Sequence, residues 1–359
     1  MESPITTCIS TNNNLDYVKL AYESVRKNAY YKDQPIVIHA ENCTDGTDEW
    51  LLNLMQEDKN LKGFIEHNDT PRGIGGGMDF CVDKSETEYV NIIHSDMWIA
   101  PNQDIELQKI VEEGDGVDRI IASSFRIQPK IFPNDPDYRP GTVFVTTDEF
   151  GEFHHNFDKE WFDDWSQKLS DMPETRVRKG GGAGFFCKKE DYVWIGGNDP
   201  LFAPASYDDM DLFIRMQLEG YKFVMSSKSV VYHFSARGSH FRDEAKDKLN
   251  SKSKRQQESE SNNAQKFIKK WDRLPHNNFK TIIRTEFFDR PLDFIWYDIM
   301  PRGNRSCQYS RFSWMYSSGV DGVLKGLDNF KSTYEFVSKE KPPKRKQKRN
   351  DYEDSDSRE

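Results

Sequence analysis

An α/β domain with a mostly parallel central sheet is the fold this sequence predicts, and two observations carry that expectation. Short apolar runs alternate with helix-patterned segments from Ile5 to His94, and a polar, turn-forming cluster closes each run. In such sheets ligands sit beyond the carboxyl ends of the strands, which is where the polar clusters fall.

Ile5 to Ile9 (ITTCI) reads as a buried strand, closed by Ser10, Thr11 and three asparagines. The helix that follows places Leu15, Val18, Leu20, Tyr22 and Val25 on an apolar face, with Asn14 or Asp16 as its cap. Pro35 opens a second strand, IVIHA, which ends in the cluster from Glu41 to Gly46. A helix from about Thr47 then carries Trp50, Leu51, Leu54 and Met55. A third strand near Gly63 to Glu66 leads into the loop NDTPRGIGGGMD and a helix around Met78 to Lys84. YVNIIH is a largely apolar strand ending at Ser95 and Asp96.

Beyond a strand at Ile120 to Ala122, the residues up to Trp165 read as irregular structure with at least one strand, TVFVTT. GGGAGFFC precedes the helix-like KKEDYVWI and the loop GGNDPLFAPAS; Asp208 to Gly220 is then a helix closed by a glycine. KFVMSS and SVVYHF follow as two short strands. Between Arg242 and Asn263 only Ala245 and Leu249 are apolar, so the segment reads as a polar loop, linker or exposed helix. Apolar residues return from Phe267, and the chain ends in a charged tail from Lys339.

Composition narrows the function classes. The 359 residues are 36% hydrophobic and 31% charged, with a net charge of -10, which suits a globular chain with polar ends. Acids outnumber bases by 60 to 50, so no nucleic-acid partner is expected. Five scattered cysteines without a CxxC pair indicate neither a zinc site nor a disulfide framework. Met1 to Thr7 lacks the apolar run of a signal peptide, and no stretch approaches the ~18 apolar residues of a membrane span, so a soluble, cytoplasmic protein is expected. Oligomeric state is not legible.

Chemistry concentrates at three places. Asp96 sits where a sheet presents ligands, and a hard divalent cation bridging a diphosphate needs an oxygen ligand from such an edge; alone, the residue would read as a turn former. Asp208, Asp209 and Asp211 fall within one turn at a helix amino end, where acids also suit the helix dipole. The amphipathic continuation Leu212, Ile214, Arg215 and Leu218 would hold Asp209 rigidly, as a general base requires. His233 ends its strand near the acidic helix and is a candidate metal ligand, whereas His240 follows in a polar loop. Gly73, Gly75, Gly76 and Gly77 allow close backbone approach to a ligand with Arg72 available to a phosphate, although neither GxGxxG nor a P-loop register is met. GGGAG at 180–184 admits the same reading on the acceptor side.

The order of these pieces resembles the GT-A fold of family-2-type glycosyltransferases over roughly residues 4–241. ISTNNNLDYVKLAYESV is similar to the opening strand and helix, and AENCTDGTDEWL to the second strand-end motif. HSDM at 94–97 stands in the DxD region with one carboxylate instead of two, and YDDMDLFIR stands where the family has Glu-Asp-x-Asp-Leu. The resemblance implies a GT-A-like, Rossmann-related sandwich at 1–241; the pattern of polar and apolar residues sets after it a polar loop or linker at 242–262, a helical C-terminal extension at 263–338 and a disordered charged tail at 339–359.

It also implies an inverting glycosyltransferase that moves a sugar from a nucleoside-diphosphate donor, most often of UDP type, to a hydroxyl of a glycan, lipid or protein with Mn2+ or Mg2+. By the same match Thr11, Asn13, Glu41, Arg72, Gly73, Ser95 and Asp96 would bind the donor. Asp96 and His233 would hold the metal, Gly181, Gly182 and Asp208 would face the acceptor, and Asp209 would be the catalytic base. Two other readings compete: a binding protein that keeps the scaffold without catalysis, and a sugar-phosphate nucleotidyltransferase. The second would open with a basic glycine-rich loop, whereas Thr11 to Asn14 is polar and uncharged.

Overall fold

The first strand, β1 (Ile5–Thr11), is buried at every position but Ser10 because both faces are covered, so its threonines are enclosed with Ile5, Cys8 and Ile9. The computed structural model describes residues 2–114, 119–129, 138–139, 142–145, 147–174, 176–177, 184–235, 262–267 and 270. After β1 come α1 (Leu15–Asn28), β2 (Ile36–Glu41), α2 (Thr47–Glu57), β3 (Leu61–Glu66), α3 (Gly73–Lys84), β4 (Tyr89–His94) and β5 (Met97–Ile99). The second half holds α4 (Gln103–Glu113), β6 (Arg119–Pro129), β7 (Tyr138–Arg139), β8 (Thr142–Val145), α5 (Thr147–Phe150), α6 (Lys159–Asp171) and β9 (Arg176–Val177). It closes with β10 (Phe185–Lys188), α7 (Lys189–Ile195), a 3-10 turn at Pro200–Phe202, α8 (Asp208–Leu218) and β11 (Tyr221–His233).

The expected α/β fold with a mostly parallel sheet is the one found. The strand path runs β3-β2-β1-β4-β10-β6-β11-β5, with β1 to β4 mutually parallel and β10 antiparallel to both neighbours. Because β2 and β3 step outward on one side of β1 and β4 returns on the other, the chain reverses direction across the sheet beside β1. That topological switch opens a crevice at the carboxyl ends. The register sets Ser10 beside both His39 and His94, Thr11 beside Ala40, and Glu41 beside Glu66, so four strand ends share one edge.

Two apolar layers sandwich the sheet. Val18, Ala21 and Val25 of α1 pack with Leu51 of α2 on Ile9, Ile38 and Ile93, while Met78 and Val82 of α3 pack with Leu212 and Phe213 of α8 in the layer holding Val90, Ile92 and Phe185.

Four local expectations are corrected. The glycine segment is not a loop: α3 begins at Gly73, because the Glu41 carboxylate supplies the N-terminal acceptors that the glycines lack. Asn14 stands at the cap position of α1 without a side-chain capping bond; its amide donates to Ser95 Oγ at 3.0 Å, and Asp45 Oδ2 accepts from Leu15 N instead at 2.9 Å. The stretch expected to be irregular contains α5 and α6, the latter capped by Asp158, and delivers Phe150, Phe157 and Phe162 to an aromatic cluster with Trp98 and Tyr232. KFVMSS and SVVYHF form one strand, with a register shift between Ser226 and Val230. A bulge of this kind bends a strand, and the far half of β11 pairs antiparallel with β5.

Residues 262–267 and 270 are helical and pack on the domain through Asn263, Phe267 and Lys270. The rest of the expected linker, extension and tail lies outside the described residues. No helix among the described residues is long and apolar enough to cross a membrane.

Candidate functional site

The pairing of β5 with β11 sets Met97 opposite His233, and Phe234 N donates to Asp96 O at 3.0 Å. Two distant strand ends are thereby joined. His233 Nε2 lies 3.5 Å from Asp96 Oδ1, and the His94 ring meets the His233 ring edge-on at 5.7 Å. One ligand atom from each of His94, Asp96 and His233 falls within a 4.8 Å group.

Two imidazole nitrogens and a carboxylate oxygen make a donor set that fits a divalent cation of the manganese type. Gln128 Oε1 on β6 lies 3.4 Å from His233 Nδ1. With the Nδ1 proton directed there, the Nε2 lone pair faces Asp96 and the cation position.

His94 is the residue that sequence reasoning missed as a ligand. Its signal was the i, i+2 spacing to Asp96, since alternate residues leaving a strand share a side. His-Ser-Asp therefore keeps the spacing of an Asp-x-Asp pair with imidazole in the first place.

Along the same edge, the donor-side candidates divide by what already occupies them. Thr11 Oγ1 and Asn14 Oδ1 are buried polar atoms without a hydrogen-bond partner, so this end of β1 is equipped to receive a ligand. Asn13 Oδ1 accepts from Thr44 N at 2.6 Å and Thr44 Oγ1 at 3.1 Å, which joins the loops after β1 and β2. Ser95 Oγ takes the Asn14 amide, which ties β1 to the metal-binding turn.

Glu41 is spent on the backbone. Oε1 accepts from Arg72 N at 2.7 Å and Asn68 Nδ2 at 3.3 Å, and Oε2 accepts from Gly73 N at 3.0 Å. Arg72 turns its guanidinium to Glu66, with Nε 2.7 Å from Oε2, and lies over the Phe80 ring. The Arg72 hydrogen bonds, helped by His39 and Asn68, pull the Glu66 carboxyl down to about 2.

α8 is brought to this edge through α3. Ile74 N donates to Pro204 O at 2.9 Å, and the space a Cβ would take at Gly75 is bounded by Asn198 and by Asp208 Oδ2 at 3.0 Å. At Gly77 the same space is filled by Ser10 and His39. Glycine in α3 thus serves close packing of α8 on one side and of β1 and β2 on the other.

Asp208 is half-buried; burial first, then the Asp209 charge, push its carboxyl up to about 7. Asp209 is exposed, and its Oδ1 accepts from Met210 N at 2.8 Å. Gly181, Gly182 and His240 lie outside the described residues.

Residues 6–185, half of the chain, match the profile of Glycosyl transferase family 2. Comparison with curated proteins yields no match. Among solved structures, the chain is similar to GalNAc-T7 with UDP, GalNAc and Mn2+ at 14% identity and a TM-score of 0.47, over 64% of this chain and 43% of that one. It is similar to S. aureus TarS at 14% identity and a TM-score of 0.43, over 65% and 36% respectively. Mannosyltransferase PcManGT from Pyrobaculum calidifontis in complex with GDP-Man and Mn2+ follows at 15% identity and a TM-score of 0.43, over 65% and 57%. The chain therefore spans less than two thirds of each of those chains.

Proposed function

The chain belongs to glycosyl transferase family 2, and on that premise we propose that it is an inverting enzyme moving a sugar from a nucleoside-diphosphate donor, of UDP type, to a hydroxyl acceptor. The observation that carries the reading is the convergence of His94, Asp96 and His233 at the topological switch of the sheet. These three residues would hold a Mn2+ or Mg2+ ion, which when bound would supply Lewis-acid stabilisation of a leaving diphosphate.

The chain's own residues do the rest. Thr11 and Asn14 offer buried polar atoms to the nucleoside side, with Asn13 and Ser95 beside them. Glu41 acts there by fixing the start of α3, and so the placing of Arg72 and Gly73. Asp209 takes the proton of the acceptor hydroxyl from an exposed position where an acceptor can reach it. Asp208 stands half-buried behind it, and Gly181 and Gly182 belong to the acceptor-side segment.

Binding and hydrolysis of UDP-, GDP- and CDP-sugars, with and without Mn2+, test the proposal in the parent and in Asp96→Ala. Metal-dependent binding of one donor class, lost in the variant, is expected. In Asp209→Asn, which keeps shape and removes basicity, turnover should fall about a hundredfold or more while donor binding survives. Undiminished turnover there would remove Asp209 from the role of base. Failure of every donor to bind would overturn the proposal, and donor binding without turnover would favour a scaffold that recognises carbohydrate or nucleotide without catalysis.

A further inference from the structure

Helical residues 262–267 and 270 lie beyond the family-matched segment, yet the buried side chains of Asn263, Phe267 and Lys270 converge on the chain leading into α8. Asn263, 1% exposed, directs Nδ2 to three backbone carbonyls: Phe202 O at 2.6 Å, Ala205 O at 2.7 Å and Ser206 O at 3.2 Å. Its two hydrogens are shared among all three. The held Ser206 and the Tyr207 that follows it are unusual, because they adopt φ values of 81° and 69°, the left-handed region that non-glycine residues avoid. They immediately precede Asp208. Phe267 is fully buried against both ends of this loop, with ring centroids 6.0 Å from Phe202 and 5.3 Å from Tyr207.

Lys270 fixes the next turn. Its ammonium donates to Asp199 Oδ2 at 2.7 Å and pairs with Asp211, which also accepts from Arg215 Nε at 2.9 Å. Arg215 donates onward to Ile195 O at 2.9 Å and Gly197 O at 2.6 Å. Two carboxylates and two cations thus balance in a site where Asp199, Asp211, Arg215 and Lys270 are each at most 4% exposed. Asp211 shares the first turn of α8 with Asp208 and Asp209.

We propose that the helical residues 262–267 and 270 are a positioning device for the acids of α8, in which Asn263 holds the left-handed approach to Asp208 and Lys270 anchors the first turn of α8 through Asp211. The inference rests on the proposed glycosyl transfer for its purpose. Neither residue is assigned contact with substrate. Both act through the backbone that aims Asp208 and Asp209, where a small displacement is enough to lower turnover without touching donor affinity.

The test uses the full chain as parent, Asn263→Ala, Asn263→Ser and Lys270→Met. Melting temperature, amide hydrogen exchange over 202–211, Mn2+-dependent donor binding and donor hydrolysis are measured with UDP-glucose, UDP-N-acetylglucosamine and GDP-mannose. Expected in Asn263→Ala and Lys270→Met is exchange over 202–211 faster by about tenfold with β1 and β4 still protected. Turnover should fall about tenfold or more while donor affinity stays at the parent value. Asn263→Ser, which retains one donor, falls between parent and alanine, and decides the matter if the other two variants do not fold. Unchanged exchange, or faster exchange with parental turnover, overturns the proposal, as does a parallel loss of turnover and donor affinity. A parent chain that hydrolyses no donor is recognised before any variant is compared; it overturns the proposed function and, with it, the catalytic purpose given to this helix.

Discussion

Glu41 offers the sharpest separation of structural from ligand-binding roles. The residue is 5% exposed, and its carboxylate accepts from the backbone N–H groups of Arg72 and Gly73 at 2.7 and 3.0 Å. A hydrogen bond to a charged group contributes about 1.5–3 kcal/mol. Two give roughly 3–6 kcal/mol, and because Arg72 is exposed and Gly73 partly so, water recovers some of this on truncation. Glu41→Ala should therefore cost about 2–4 kcal/mol, consistent with loss of a strong N-terminal cap. For a domain of this size that lowers the melting temperature by about 5–15 °C.

Glu41→Gln keeps one carbonyl acceptor but sets an amide NH2 against the other N–H, so a loss of about 2 kcal/mol is expected. Calorimetry of parent and variants reads these shifts, and titration with UDP-glucose below the transition reads donor binding. If Glu41 acts as the α3 cap, the folded Gln variant binds donor within a few-fold of parent. A melting temperature within a degree of parent in both variants would refute the cap argument. A stable Gln variant that no longer binds would instead return Glu41 to direct nucleoside contact.

Other outcomes follow from the same geometry. His94→Ala should weaken Mn2+ binding by at least the about ten- to hundredfold lost when a mere supporting partner of a ligand is removed, read by metal titration; unchanged affinity would leave Asp96 and His233 as the whole site. Burial and the Asp209 charge push Asp208 up to about 7; if the proton that Asp208 keeps below that pH limits Asp209 as base, turnover should rise as pH passes through about 7, and Asp208→Asn should abolish that rise. The folded-state value lies above the ordinary 3.8, so the folded chain keeps a proton that the unfolded chain releases. This group's contribution to stability therefore falls as pH rises from about 4 to about 7, and Asp208→Asn should remove that slope from the melting profile. Gly77→Ala would set a methyl against Ser10 and 2.9 Å from His39 Nδ1. It should destabilise by about 1–3 kcal/mol and shift α3 from the strand ends; an unchanged melting temperature would show that Ser10 can turn away freely.

Sequence by itself determined the α/β order and the sites of chemistry at strand ends, because burial on two faces and the polar turns that end a strand are local properties. ITTCI, IVIHA and YVNIIH needed no partner to be read as buried strands. The acids at 208–211 were legible as a helix start for the same reason. α6 was obscured because Phe162, Trp165 and Leu169 keep helical spacing within a strongly polar segment.

Tertiary structure decided what no window of sequence contains. His233 meets Asp96 because a bulge in β11 lets its far half pair with β5, and that meeting turned His94 from a departure in a motif into a third candidate ligand. Glu41 is engaged by the start of α3 because β2 and β3 run side by side and bring residues 41 and 72 together. Lys270 carried no signal in the sequence, and folding encloses it between Asp199 and Asp211. In each case the deciding quantity is a distance between residues far apart in the chain, which only packing of the sheet and its helices can set.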